Sequence, residues 1–327
     1  MSRNAEVFLF GAGIVDVLAQ PVSAAVFQLD SVAANAVTLS TGGDALNEAT
    51  VLSRLGHGAA LRTVLGMDEA AELVLAHLRK EGVIALAERR AELATGVNIV
   101  LVDEKGERRF ITNPSGSLRK LSLADALAAL DTPEFESAKI ATLASIFVSP
   151  ELNASDMETL FCQCRQAGKF VCADMTRPKR GETLSELKGA LRHLDWLFPN
   201  ASEACAVTGC SEATDAANAL LNAGVKHVAM KLGGSGCLIA SQQGMWRMPA
   251  VSGVRAIDTT GAGDTFAAAF QAALLEGGDE AECAAFANAA ASLCVEAVGA
   301  TGAAMNRDRI CKRAADILRI WNGKRIG

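Results

Sequence analysis

Apolar runs bounded by turn residues alternate along this chain with segments of helical period, and no other feature restricts its fold as tightly. That alternation is the pattern of an α/β fold, in which helices cover the faces of a sheet. The runs predict strands over 6–14, 60–64, 139–148, 170–174, 196–198, 228–231 and 237–240. Between them the pattern predicts helices over 43–55, 68–81, 157–167, 203–208, 215–223 and 279–297. A further helix is expected after residue 264, where Phe266, Phe270 and Leu274 recur at four-residue spacing and Gly277-Gly278 ends the run.

Two segments break the rhythm. Residues 98–102 and 108–112 flank the polar turn Asp103-Glu104-Lys105-Gly106-Glu107, which predicts a hairpin. Residues 15–40 form a long stretch without a helical stripe that leaves the first strand and returns at Gly42. Together they suit a small sheet outside the main layer, although a plain exposed hairpin explains the first of them equally well.

Half of the 327 residues are hydrophobic, yet aromatics are few, with 12 Phe, 3 Trp and no Tyr. Such a core suits close helix-on-sheet packing within one large domain spanning 1–327. The formal net charge is −6 and no Lys/Arg run exceeds two residues, which argues against nucleic acid as a partner. The nine Cys lack paired C-x-x-C spacing and the four His lie far apart, so free thiols are expected and a structural zinc site is not. No signal-like segment and no run of 18 apolar residues is present, so a soluble, cytoplasmic protein without membrane contact is expected.

The chemistry concentrates in Asp258-Thr259-Thr260-Gly261-Ala262-Gly263-Asp264-Thr265-Phe266. Gly261 and Gly263 lack a Cβ, and the helix that follows leaves its first amides unpaired at a positive dipole end, which suits an anion. Asp264 could merely cap that helix, or could take a proton from a hydroxyl attacking a bound phosphate. No G-x-x-x-x-G-K-[ST] motif occurs. Gly11-Ala12-Gly13 resembles the start of a dinucleotide motif, but Asp16 stands where that motif needs its third small residue. At the carboxyl end of a first strand, Asp16 is instead placed to accept sugar hydroxyls, unless it only serves the turn. Gly42-Gly43 permits close backbone approach, and Asn47 offers both donor and acceptor to a polyol. Asn200 to Glu203 reads as a helix start, and Lys231-Leu232-Gly233-Gly234-Ser235-Gly236 as a turn that can shape a nucleotide pocket.

Three motifs in this order, Gly42-Gly43-x-x-x-Asn47, Pro199-Asn200-x-x-Glu203 and DTTGAGDTF at 258–266, resemble the ribokinase-type (PfkB) carbohydrate kinase family over nearly the whole chain. The GGDALNEA form resembles a bacterial branch of sugar kinases whose substrates are mostly unassigned. The resemblance implies a doubly wound, mostly parallel α/β sheet flanked by helices, with a small β lid built from about 15–40 and 95–115. It implies transfer of the γ-phosphoryl of ATP, with Mg2+, to a hydroxyl of a small sugar or sugar acid. Asp264 takes the family's base position and Gly261, Ala262 and Gly263 its anion hole. Asp16, Gly42, Gly43 and Asn47 fall on sugar-contacting positions, with Asn113 on the far side of the hairpin. Asn200, Lys231, Gly233, Gly236 and Asn288 fall on nucleotide positions, and Glu203 on one that reaches magnesium through water. Asp258, Thr260 and the stretch from Cys294 through Ala297 to Gly299 resemble a monovalent-cation loop, with K+ as the implied ion.

Departures from the family pattern sharpen the expectation. Lys231 stands where many relatives have Thr, Asp44 replaces the Lys or small residue of some ribose-specific relatives, and no carboxylate lies near 148–150. Ribose is therefore not the expected substrate. A nucleoside kinase of the same fold and a catalytically silent sugar sensor are the alternatives. Exposed apolar lid strands such as 98–102 predict a homodimer.

Overall fold

The computed structural model describes residues 4–104, 107–323 and 325–326, so Lys105 and Gly106 of the expected hairpin turn lie outside the described residues. The strands are β1 (Val7–Gly11), β2 (Ile14–Gln20), β3 (Ala36–Gly42), β4 (Ala59–Leu65), β5 (Ile84–Arg89), β6 (Val97–Val102), β7 (Arg108–Thr112), β8 (Ile140–Ile146), β9 (Phe170–Met175), β10 (Trp196–Phe198), β11 (His227–Lys231), β12 (Cys237–Ser241) and β13 (Gly244–Met248). Nine of them form one sheet in the order β13-β12-β11-β10-β9-β8-β1-β4-β5. Pairing is parallel from β11 through β5 and antiparallel only at the β12–β13 edge.

Helices cover both faces because the strands are apolar on both sides. Val7 and Leu9 of β1 enter one core with Phe266 and Phe270 of the helix Ala262–Leu275. Phe8 and Phe10, pointing the other way, enter a second core with Phe135 and Phe161. Chain order runs outward from β1 in both directions, so the sheet reverses between β1 and β8. Open α/β sheets bind ligands outside the carboxyl ends of strands at such a reversal.

The strand expected over 6–14 is in fact two. β1 stops at Gly11, where a Cβ would lie 2.3 Å from the Ala144 carbonyl oxygen, and the chain turns through Ala12-Gly13 into the second sheet. That sheet has the order β3-β2-β6-β7 and unites the two segments that broke the sequence rhythm. Asp16 pairs with Ser40 and Asn98, and Val17 with Leu39 and Ile99, while Ile99 pairs with Ile111. Alternation therefore puts Asp16 and Asn98 on one face, and the row Leu39, Val17, Ile99, Ile111 on the other.

The sequence pattern missed β5, β13 and the helices Leu123–Ala128, Pro133–Ser137, Leu184–Leu191 and Arg307–Ile320. These are short or peripheral elements, and the last carries so many charges that its buried Ile310, Ala314 and Ile317 form only a thin stripe. Among the described residues no helix is long and apolar enough to cross a membrane.

Candidate active site

Asp264 lies in the first turn of the helix Ala262–Leu275, which Gly261 enters at φ 71°. That conformation favours glycine, and the space demands it, because a Cβ on Gly261 would lie 2.3 Å from the Ala300 carbonyl oxygen. The Ala262 amide bonds the Thr259 carbonyl at 3.3 Å, while the amides just inside the helix have no intrahelical acceptor. Asn47 donates from Nδ2 to Asp264 Oδ2 at 2.6 Å. It arrives on the helix Asp44–Arg54, which follows Gly43 at φ 95°. Burial and then Asp44 push the Asp264 carboxyl well above the usual range, with Asp174 adding and Asn47 and Lys231 opposing.

Lys231, at the end of β11, donates to both oxygens of Asp174 at 2.8 and 2.6 Å. Its ammonium also lies against the glycine turn, since a Cβ on Gly263 would be 3.3 Å from Nζ. Burial alone would lower the Lys231 pKa, but Asp174 and Glu203 outweigh it and raise it. Burial pushes Asp174 up despite its lysine, and pushes Glu203 up to about 7 against Lys231. Glu48 is fully buried beneath them and is likewise driven well above its normal value, first by burial and then by Asp174 and Asp264. Its Oε2 accepts from Gln271 Nε2 at 3.1 Å, and Thr142 Oγ1 donates to Gln271 Oε1 at 2.5 Å. Four carboxyls thus compete for one ammonium, and the cluster is short of positive charge.

In the second sheet, Asn98 Nδ2 donates to Asp16 Oδ1 at 3.1 Å. Burial raises Asp16, helped by Asp44, against Asn98 and Arg108. Asp44 accepts from Ser145 Oγ at the end of β8. Gly42 makes room for Asp16, because a Cβ there would lie 2.1 Å from its Oδ2, and a Cβ on Gly43 would lie 2.5 Å from the Ala12 carbonyl oxygen. The two glycines thus have a local structural task in holding Asp16 and the Asn47 helix together.

The remaining candidates sort by position. Asn200 and Glu203 close a reciprocal cap, with Glu203 N donating to Asn200 Oδ1 at 2.9 Å and Asn200 N to Glu203 Oε2 at 2.8 Å. Asn200 also bridges Lys231, which brings that cap to the Asp174 pair. Gly233 and Gly236 shape the turn after Lys231 at φ 58° and 90°. Asn288 is buried and donates to the Pro249 carbonyl at 3.2 Å. Asn113 is exposed, and its carboxamide oxygen accepts from Ser115 N at 3.0 Å, so its contacts are local to its own turn. At the expected cation loop, Asp258 accepts from Thr260 and Gly299 and pairs with Arg108, while Cys294 Sγ bonds the Thr260 carbonyl at 3.4 Å. Ala297 N bonds the Cys294 carbonyl at 3.1 Å.

A family model for pfkB carbohydrate kinases matches residues 4–307. The chain belongs to the pfkB family of carbohydrate kinases. It is 31% identical over 251 residues to an uncharacterized sugar kinase of Archaeoglobus fulgidus, covering 76% of this chain and 96% of that one. It is 28% identical over 275 residues to the 2-dehydro-3-deoxygluconokinase of Escherichia coli K12, covering 79% and 89%. The structure of Arabidopsis thaliana ribokinase complexed with ribose and ATP superposes with a TM-score of 0.78 at 24% identity, over 95% of this chain and 99% of that one. This pfkB chain is accordingly a phosphotransferase acting on hydroxyl acceptors, with the ribokinase-like fold.

Sequence reasoning missed four residues that the fold brings to this candidate site. Asp174 is a carboxylate at a strand's carboxyl end, and the rule applied to Asp16 would have found it. Glu48 breaks the apolar face formed by Ala45, Ala49 and Leu52, a signal that was legible in the helix period. Asn98 and Arg108 gave none, because their partners Asp16 and Asp258 lie 82 and 150 residues away.

Proposed function

We propose that this chain is an ATP-dependent, magnesium-requiring kinase of a small sugar or sugar acid, with Asp264 as general base. The observation carrying this reading is the meeting of Asp264, Asn47, Lys231 and the Gly261–Gly263 turn at one helix N-terminus. The acceptor hydroxyl lies between Asp16 and Asp264. Asp264 takes its proton as the oxygen attacks the γ-phosphorus and the bond to the β-γ bridging oxygen breaks, releasing ADP. Charge on the phosphoryl oxygens is met by the turn amides and by Lys231. The raised Asp264 pKa strengthens it as a base, and Asn47 fixes its orientation. The shortage of positive charge in the carboxyl cluster supports a divalent cation arriving with the nucleotide, which would neutralise phosphate charge when bound. Glu203 would hold it through water, since among the described residues no three acidic, His or Cys side chains converge as a dedicated cage.

A carboxylate-bearing sugar has specific support. Arg119 Nε is buried without a hydrogen-bond partner, and Lys179 lies within electrostatic reach of both Arg119 and Asp44. That end of the site carries two cations against Asp44 and suits an anionic substituent. ADP release across neutral pentoses, ketohexoses, deoxy-sugar acids and nucleosides tests the reading. Sugar acids are expected to give the highest kcat/KM. Preference for nucleosides, or no turnover with any of them, would overturn it in favour of a nucleoside kinase or a silent sugar sensor.

The small sheet would act as a lid, since the face carrying Asp16 and Asn98 turns toward the site. Its other face exposes Leu39, Ile99 and Ile111 at 57%, 41% and 51%. An apolar row of that kind supports pairing with a second copy. Leu39→Glu combined with Ile111→Glu is expected to convert a dimer to a monomer in sedimentation, and a wild-type monomer at micromolar concentration would contradict the proposal. The nine free thiols favour a reducing, cytoplasmic setting.

A further inference from the structure

Asp258 clamps the loop that leads into the Asp264 helix. Its Oδ1 accepts from the Thr260 amide at 2.8 Å and Thr260 Oγ1 at 2.7 Å, and its Oδ2 accepts from the Gly299 amide at 2.8 Å. One carboxylate therefore ties the 258–261 turn to the 299–300 segment, against which Gly261 packs so closely. The Asp258 side chain is only 5% exposed, and a carboxylate so buried needs a positive partner. Arg108, the first residue of β7, supplies it by donating from its guanidinium to Oδ1.

The resemblance of this loop to a monovalent-cation site meets a difficulty here, because the oxygens such an ion would use are engaged. Both Asp258 oxygens accept amide hydrogens, one of them also accepts the arginine, and the Thr260 carbonyl faces the Cys294 thiol at 3.4 Å. The loop fits the arginine it has, since both Asp258 oxygens and the Thr260 carbonyl are already taken up.

We propose that Arg108 stands in for a monovalent cation at Asp258, so that the turn carrying the Asp264 helix is charge-balanced from within the chain and needs no potassium. Arg108 is a positioning residue: it acts through Asp258 and the Thr260-Gly261 turn. It is delivered by the same small sheet that holds Asp16 and Asn98, through Val102↔Arg108 and Asp16↔Asn98 pairing. Docking of that sheet and charge balance at the anion-binding turn are therefore one event.

The test uses the full chain at constant ionic strength in KCl or tetramethylammonium chloride. Wild type and Arg108→Lys are expected to melt at the same temperature in both salts. Arg108→Ala and Arg108→Gln open the Asp258 oxygens, and KCl is expected to raise their Tm by about 2 °C or more. Thallium-205 NMR, with Tl+ as the potassium probe, is expected to broaden only with the Ala and Gln variants. These two readouts need no substrate, so they stand apart from the kinase reading; only the effect on turnover rests on it. There, Arg108→Ala is expected to lose about tenfold or more in kcat without K+, as loss of alignment does, and to regain most of it with K+. A K+-dependent Tm or Tl+ broadening in wild type would overturn the proposal, as would Ala and Gln variants that ignore K+.

Discussion

Asp264→Asn is expected to lower turnover by about a hundredfold or more while making the protein more stable. The loss follows from removing the group proposed to accept the hydroxyl proton; the Asn47 contact, at 2.6 Å, can survive as an amide pair. The gain follows from linkage. Burial and the neighbouring Asp44 raise the folded-state pKa of Asp264 well above its unfolded value. The folded protein therefore holds this proton more tightly than the unfolded chain, and stability falls as pH rises from the unfolded to the folded pKa. Above that window Asp264→Asn should melt at a higher temperature than wild type, and near the unfolded carboxylate value of about 4 the two should converge. In wild type, kcat/KM should fall on acidification through the same raised pKa, and the residual rate of the variant should lack that limb. Near-normal turnover in Asp264→Asn, read by ADP release, would remove it from the role of base.

Lys231→Met is expected to be the most destabilising single change at the site, by about 3–5 kcal/mol at neutral pH. Among the described residues the lysine is the one cation within hydrogen-bond distance of Asp174, with side-chain exposures of 14% and 4%. Removing it strands a buried carboxylate whose pKa burial already raises. Asp174 can escape by taking a proton, so the penalty should be largest at alkaline pH and shrink on acidification. Urea unfolding at pH 8 and pH 5 measures both values; equal losses, or a loss under about 1 kcal/mol, would show that the pair does not carry this energy. ATP affinity should fall as well, because the same ammonium lies beside Gly263.

These two changes divide the site by how it became legible. Asp264 was readable because a helix start, two glycines and a carboxylate lie within four residues, and local backbone geometry fixes what they present. Asn47 was readable for the same reason, from Gly42-Gly43 and the helix they open. The pairing of Lys231 with Asp174 was not, since it joins the ends of β11 and β9 across 57 residues of sequence. Gly42 and Gly43 were expected to admit a ligand, and their spatial neighbours give them a second task, the seating of Asp16 and the close approach of the Ala12 carbonyl. The first strand shows the same limit. Residues 7–14 carry no polar side chain to mark a break, and the close approach of Gly11 to Ala144 and Ala45 lies where the chain leaves one sheet and joins another.

The sequence by itself determined the α/β alternation, the helix that carries Asp264 and the family to which the chain belongs, because period, turn chemistry and contiguous motifs are local. Only the tertiary structure decided which charges share the site. Asp44 and Glu48 from one helix, Asp174 from β9 and Glu203 from another helix meet there, and burial together with neighbouring charges raises the pKa values of Glu48, Asp174 and Glu203. Arg108 reaches Asp258 from another sheet. Electrostatic coupling depends on distance through space, which strand order sets and sequence separation does not record.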